Sequence, residues 1–316
     1  GQVSYCAANA YLDSYAHYRN LNRRTYTVSI NWDAWSEVGM AVDAVKKMSA
    51  AAAPSLPAAQ PALTGKQPVE YPHYDSREII TPDQVVYISR LRVKTCWFLE
   101  EHRLLGKPTM PGTGYLELAR AAVEQQTGKT GLELTEFFTL APFMVGEEEE
   151  KELHTILKKE GDGYRISFIG RVAPGEDKWE EHARGKAQPL KAGTPQRYSL
   201  EEIGKACSEG EKDFPIEGFK PQQGALTLGP RWNNLRRGKF GKNQGLGILE
   251  LPAEYSAETA IYKLHPALLD VGNVLLRQEK KEDGPYVPVY YQSLRIQGEV
   301  PARAWFHVKA AETNTY

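Results

Sequence analysis

Cysteine is scarce in this chain of 316 residues: Cys6, Cys96 and Cys207 stand far apart, with no CxxC pair among them. An odd, scattered set builds neither a disulfide framework nor a zinc ribbon, so reduced thiols in a cytoplasmic protein are expected. An excess of one charge is lacking too. Lys and Arg number 39 against 40 Asp and Glu, a net charge of −1, which disfavours nucleic-acid or acidic-lipid binding driven by overall charge. No stretch approaches the roughly 18 consecutive apolar residues of a membrane span, and no charged-then-apolar leader opens the chain. It begins at Gly1, not Met, and enters patterned sequence at once, as an excised piece of something longer would.

What is present supports a sizeable core: 41% of residues are hydrophobic and 10% aromatic. The 27 glycines and 20 prolines are concentrated in informative places. Residues 50–68 alternate Ala and Pro, which stiffens the backbone without supplying a core, and read as an interdomain linker. Residues 1–49 are too few to bury a core of their own; they read as helix over Cys6–Tyr18 and strand over Thr25–Trp32. The remainder, 69–312, reads as one larger unit.

In that unit, strands are expected around Val85–Leu91, Leu153–Lys158, Tyr164–Arg171, Leu246–Leu251 and Arg303–Ala310. Two apolar helices are expected at Pro111–Glu124 and Pro266–Leu276, each with Pro in the first turn, where its missing N–H costs nothing. The Glu147–Lys151 run reads as a solvated loop rather than a metal site. The pattern suggests two similar halves, each a loop leading into one helix followed by strands. That is an α+β chain with mostly antiparallel sheet.

Chemistry concentrates around His102. It precedes a turn-rich stretch (Gly106, Pro108, Pro111, Gly112, Gly114) that feeds the first helix. Helix N-termini offer unpaired N–H groups and partial positive charge, suited to a carbonyl oxygen that gains charge. A neighbouring imidazole could take the proton α to that carbonyl. From the residues alone, His102 reads either as this base or as a loop histidine bonded to backbone. On the second helix Asp270 stands among Leu268, Leu269 and Leu275. Apolar surroundings favour the protonated form of a carboxyl and so a general acid, the alternative being an aspartate paired with solvent or a lysine. His265, directly before Pro266, reads as a packing or capping residue ahead of the alternative, a catalytic one.

The spacing His102-x3-Gly106-x4-Pro111, with Gly112 following, resembles the first signature of the dehydratase domains of modular polyketide synthases. Leu268-Leu-Asp270 resembles the start of their second signature, Asp-x3-Gln or Asp-x3-His. His182-Ala-Arg-Gly185, Leu228-Gly-Pro-Arg-Trp232 and Tyr286-Val-Pro-Val-Tyr290 are similar to three further family segments, the second being Tyr-Gly-Pro-x-Phe. The likeness runs from about Tyr71 to Ala311. The N-terminal piece resembles the end of a ketoreductase domain, with Tyr5 and Asn9 as its active-site pair and closing segments at Ser29–Trp32 and Trp35–Met40. The Gly-rich dinucleotide turn would lie ahead of Gly1, so no NADPH binding is expected.

The resemblance implies a double hotdog, two antiparallel sheets each wrapped around a helix. It implies loss of water from a β-hydroxyacyl thioester carried on the phosphopantetheine of an acyl carrier protein, with no metal and no bound cofactor. His102 would be the base, Asp270 the acid, and the Gly112 N–H the donor to the thioester oxygen. Gly106, Pro111, Leu228, Gly229, Pro230 and Val274 would line the substrate site. Two positions depart from the family: Val274 stands where Gln or His is usual, and Leu228 where Tyr is usual. The alternatives are a related cyclase that closes a pyran or furan by oxa-Michael addition, and an inactive module that serves only structure or docking. Partners implied are the carrier protein and neighbouring synthase domains, with homodimers common among relatives. Arg231, Arg236, Arg237, Lys239 and Lys242 form a candidate basic rim for the acidic carrier, or else a solvated basic face.

Overall fold

A computed structural model describes residues 65–172, 178–190, 197–273, 275–276 and 288–310, all within the larger of two compact units, Pro61–Tyr316. The ketoreductase-like piece, Val274 and Tyr286 fall outside the described residues. Chain order begins with β1 (Gln67–Tyr71), β2 (Tyr74–Thr81), β3 (Gln84–Arg92), α1 (Trp97–Glu100), β4 (His102–Leu104), β5 (Lys107–Pro108) and α2 (Gly112–Thr127). It continues with β6 (Leu132–Thr139), β7 (Glu150–Glu160), β8 (Gly163–Arg171), β9 (Trp179–Pro189), α3 (Leu200–Ala206), β10 (Gly210–Asp213), β11 (Gln222–Gln223) and β12 (Leu226–Leu228). Last come β13 (Leu235–Gly241), β14 (Gln244–Glu250), α4 (Pro266–Asn273), β15 (Tyr290–Ile296) and β16 (Arg303–Lys309).

Strand formation follows the alternation in the sequence. Leu153, Thr155 and Leu157 on β7, with Ile166 and Phe168 on β8, point inward and are fully buried. An eight-stranded antiparallel sheet, ordered β1-β2-β3-β7-β8-β9-β6-β15, results. Helix α2 packs on β6 to β9. It is buried almost all round, with Tyr115, Leu116, Leu118, Ala119 and Ala122 completely enclosed, as befits a helix at the centre of a sheet. A second sheet, β10-β13-β14-β16, carries α4 against β14 and β16. A third, small sheet, β11-β12-β4-β5, joins two hairpins from distant parts of the chain. The α+β, double-hotdog expectation therefore holds.

Three expectations need correction. The two halves do not keep separate sheets: β15 pairs with β6, from Tyr290↔Phe138 to Ile296↔Leu132, and so completes the first sheet from the second half of the chain. Glu150 and Lys151 are not loop but the start of β7, because Arg92 lies opposite Glu150 in the ladder and pairs with it at 2.8 Å. The first helix begins one residue later, Pro111 being its extended N-cap, and runs on to Thr127.

The two central helices are tied by a buried polar cluster. Arg120 holds both oxygens of Glu117 at 2.7 Å. Glu117 also accepts from the Tyr71 hydroxyl at 3.1 Å and from the Leu264 N–H at 2.9 Å. Lys263 reaches Glu124 at 2.5 Å. Glu117 and Arg120 are both enclosed, so each buried charge depends on these partners. The cluster anchors the segment that enters α4 onto α2.

Candidate active site

His102 opens β4, a strand with neighbours on both sides: β5 returns along one edge and β12 pairs on the other, with Leu228 opposite His102. The β4–β5 turn is Leu105-Gly106, with φ of 51° and 77°. Positive φ at both central residues is the two-residue hairpin geometry that favours Gly at the second position. Gly106 is exposed in this turn, where its positive φ shapes the hairpin. The hairpin folds Thr109 back on His102. The Thr109 N–H donates to the His102 carbonyl at 2.9 Å, and the His102 Nδ1 lies 2.8 Å from the Thr109 carbonyl. A carbonyl only accepts, so Nδ1 carries the proton and Nε2 keeps the lone pair a base needs. The imidazole itself is buried.

Asp270 lies on α4, half-buried, one turn beyond the enclosed Ala267. Its Oδ2 accepts a hydrogen bond from Trp232 Nε1 at 2.8 Å. The same indole ring lies 5.7 Å from the His102 ring, centroid to centroid. One aromatic side chain thus touches both predicted catalytic residues and brings them into one site.

Trp232 ends a tight turn, Pro230–Trp232, that follows β12 and is opened by Pro230. Gly229 before it donates to the Glu101 carbonyl at 2.7 Å, and its missing side chain leaves room for Glu101. Arg231 is gripped from two sides. Its backbone N–H gives 2.9 Å to Glu101 Oε2, and its guanidinium also bonds Glu101. The same group binds both oxygens of Glu258, at 2.6 and 2.9 Å, a bidentate pairing. Its face lies over the Trp97 and Tyr255 rings. Burial pushes Glu258 up, but the hydrogen bonds from His265 and Arg231 and the Arg231 charge prevail and hold it at about 2. Asn234, completely buried, donates to the Arg231 carbonyl at 2.9 Å and the Ala267 carbonyl at 3.0 Å, tying the turn to α4.

The other predicted residues divide. Leu228 is buried beside His102, and Gly112 is the first residue of α2, close to Thr139 Oγ1 and the Pro288 carbonyl. Pro111 is buried as the α2 N-cap. His265 is fully enclosed, stacked 5.1 Å from Trp97 and bonded to Glu258 at 3.4 Å, a packing residue as expected. In the candidate basic rim, Arg231 is committed to two carboxylates, Arg236 to the Asn233 and Glu250 carbonyls, and Arg237, still exposed, to Asp213 at 2.8 Å. Lys239 faces Glu211 at 3.6 Å, and Lys242 is exposed. Sequence reasoning did not single out the Trp232 N–H or the Glu101–Arg231–Glu258 clamp. The signals were a tryptophan where the family motif has phenylalanine, and an acid directly before the histidine. Among the described residues no group of three or more His, Cys, Asp or Glu is placed to hold a metal, and no helix is long and apolar enough to cross a membrane.

A family model for the polyketide synthase dehydratase domain matches residues 76–171, and one for the polyketide synthase dehydratase N-terminal domain matches 221–315. A KR domain model matches residues 1–37. Polyketide synthase GfsB of Streptomyces halstedii is 30% identical over 197 residues, covering 61% of this chain and 3% of the relative. PksN of Bacillus subtilis is 25% identical over 222 residues, covering 67% of this chain and 4% of the relative. The chain therefore spans a small fraction of the curated relatives it matches. The dehydratase domain from the CurF module of curacin polyketide synthase superposes with a TM-score of 0.68 at 23% identity, covering 77% of this chain and 89% of that one. A dehydratase domain of a trans-AT synthase from Brevibacillus brevis gives 0.66 at 23%, covering 75% and 85%. The CurK dehydratase gives 0.65 at 24%, covering 80% and 88%, and its histidine-to-phenylalanine and aspartate-to-asparagine forms are inactive mutants.

Proposed function

Because this chain belongs to the polyketide synthase dehydratase family, we propose that it removes water from a β-hydroxyacyl thioester carried on the phosphopantetheine arm of an acyl carrier protein. The product is the α,β-unsaturated thioester, and the carrier and the neighbouring synthase domains are its partners. The observation that carries this reading is the pairing of His102, with Nδ1 committed to Thr109, and Asp270 around the one Trp232 ring.

His102 Nε2 takes the α-proton, and the C–H electron pair moves onto the thioester oxygen. The N–H of Gly112, at the positive end of a helix of 16 residues, stabilises that oxygen. The pair then returns to form the Cα–Cβ double bond as the Cβ–O bond breaks, and Asp270 gives its proton to the departing hydroxyl. Water leaves, and the site is restored when His102 gives up its proton and Asp270 takes one up, directly or through solvent. Positioned acid and base groups of this kind each contribute about 10²- to 10⁴-fold. The buried Leu228 beside His102 supplies an apolar wall against which an acyl chain can lie.

The test is incubation of the chain with a β-hydroxyacyl pantetheine thioester, followed by mass spectrometry. Loss of one water is expected, and His102→Ala or Asp270→Asn should abolish it. Ring closure of a hydroxy-enoyl substrate at unchanged mass would instead identify a cyclase. No conversion of either substrate would leave a structural module.

A further inference from the structure

We infer that Trp232 is the positioning residue for Asp270, taking the place of the polar side chain that the family carries four residues after its aspartate. The inference rests on the dehydratase reading for the role of Asp270, and on this chain's own geometry for the role of Trp232.

The family position is Val274 here, and valine has no donor to offer. The tyrosine expected ahead of Gly229-Pro230 is Leu228, equally without one. A carboxyl that lacks both supports swings about its side-chain torsions, and misplacement of a reacting group is costly. The chain departs from the family motif at a third point. Where phenylalanine closes that motif, this sequence has Trp232, whose indole adds an N–H to the same aromatic bulk. That N–H meets Asp270 Oδ2 at 2.8 Å.

Trp232 is itself held firmly. It is 2% exposed, and its ring packs edge-on against Trp97 at 5.8 Å and tilted against His102 at 5.7 Å. Its backbone N–H donates to the Gly229 carbonyl at 3.1 Å. Arg231, one residue earlier, is clamped by Glu101 and Glu258, and Asn234, two residues later, bonds the Ala267 carbonyl three residues before Asp270. The donor and the helix that carries its acceptor are therefore parts of one braced unit.

The bond also selects which oxygen faces the substrate. Indole only donates, so Oδ2 accepts and Oδ1 is left for the departing hydroxyl. The family's glutamine can act as donor or acceptor, whereas the indole fixes a single arrangement.

The decisive measurement does not depend on turnover. In chain labelled with ¹⁵N-tryptophan, the indole resonance lost in Trp232→Phe identifies Trp232, and Asp270→Ala should move it upfield as its acceptor disappears. Asp270→Asn, which removes the charge but keeps the shape, serves if the alanine variant does not fold. A resonance indifferent to position 270 overturns the inference. In kinetics, Trp232→Phe should lower kcat by about 10- to 100-fold with KM little changed. Adding Val274→Gln to that variant should restore kcat, since the amide returns a donor but cannot return the packing of an indole. A double variant as slow as Trp232→Phe would assign Trp232 to packing alone. If the wild-type chain failed to dehydrate while the resonance still moved, the dehydratase reading would fall and the Trp232–Asp270 support would stand.

Discussion

Glu101 and Arg231, 130 positions apart in sequence, are joined through both backbone and side chain: the Arg231 N–H and its guanidinium each bond the Glu101 carboxylate. Each stands one residue before a member of the site, His102 and Trp232. The ion pair therefore works as a cross-brace that fixes the spacing between His102 and Trp232. Replacing Arg231 by Met keeps the unbranched stem but strands two carboxylates, Glu101 and Glu258. We predict a loss of about 3 kcal/mol of stability, read as a lowered denaturation midpoint in urea, together with reduced kcat.

Gly229 lies against the same carboxylate. A methyl group there would come within 2.5 Å of the Glu101 Cβ and 2.6 Å of its Cδ. Gly229→Ala should cost about 1–3 kcal/mol through overpacking. Thermal melting measures it. An alanine variant as stable as wild type would mean that Glu101 can move aside without loss.

Stability should rise with pH between about 4 and about 6.5. Burial holds His73 at about 4, against 6.5 when exposed, and also lowers His182 and His265. In that window the unfolded chain binds more protons than the folded one, so acid favours unfolding. His73 alone contributes on the order of 3 kcal/mol of this dependence. Urea midpoints at pH 4.5 and 7 should differ clearly, and His73→Phe should narrow the gap.

Burial pushes the Cys96 thiol up to about 12, so it should resist alkylation at pH 8. Peptide mass mapping after iodoacetamide treatment should find Cys96 unmodified in the native protein and modified once urea is added.

The sequence carried the site's chemistry further than its architecture. The candidate pair His102 and Asp270 was legible because a turn-rich loop before a helix and an acid in an apolar run are local patterns. The strands with one enclosed face, such as β8, were legible for the same reason. What stayed hidden depends on contacts between distant segments. The pairing of β15 with β6 draws on a strand that shows mostly polar or exposed residues, Tyr290 and Ser293 among them. The bond from Trp232 to Asp270 spans 38 positions and turns on a single indole N–H. Gly106 was legible only as part of a signature, and its φ of 77° adds a hairpin's demand for glycine that the spacing alone did not show.

The pairing of β4 with β12 also sets an order in time. His102 finds its neighbour Leu228 only after the intervening chain, including all of β6 to β9, has been made. During synthesis the strands of the first sheet other than β15 can pack on α2 while His102 still sits on a lone hairpin, and Asp270 is later still. A half-made chain can thus carry most of that sheet before His102 and Asp270 are brought together.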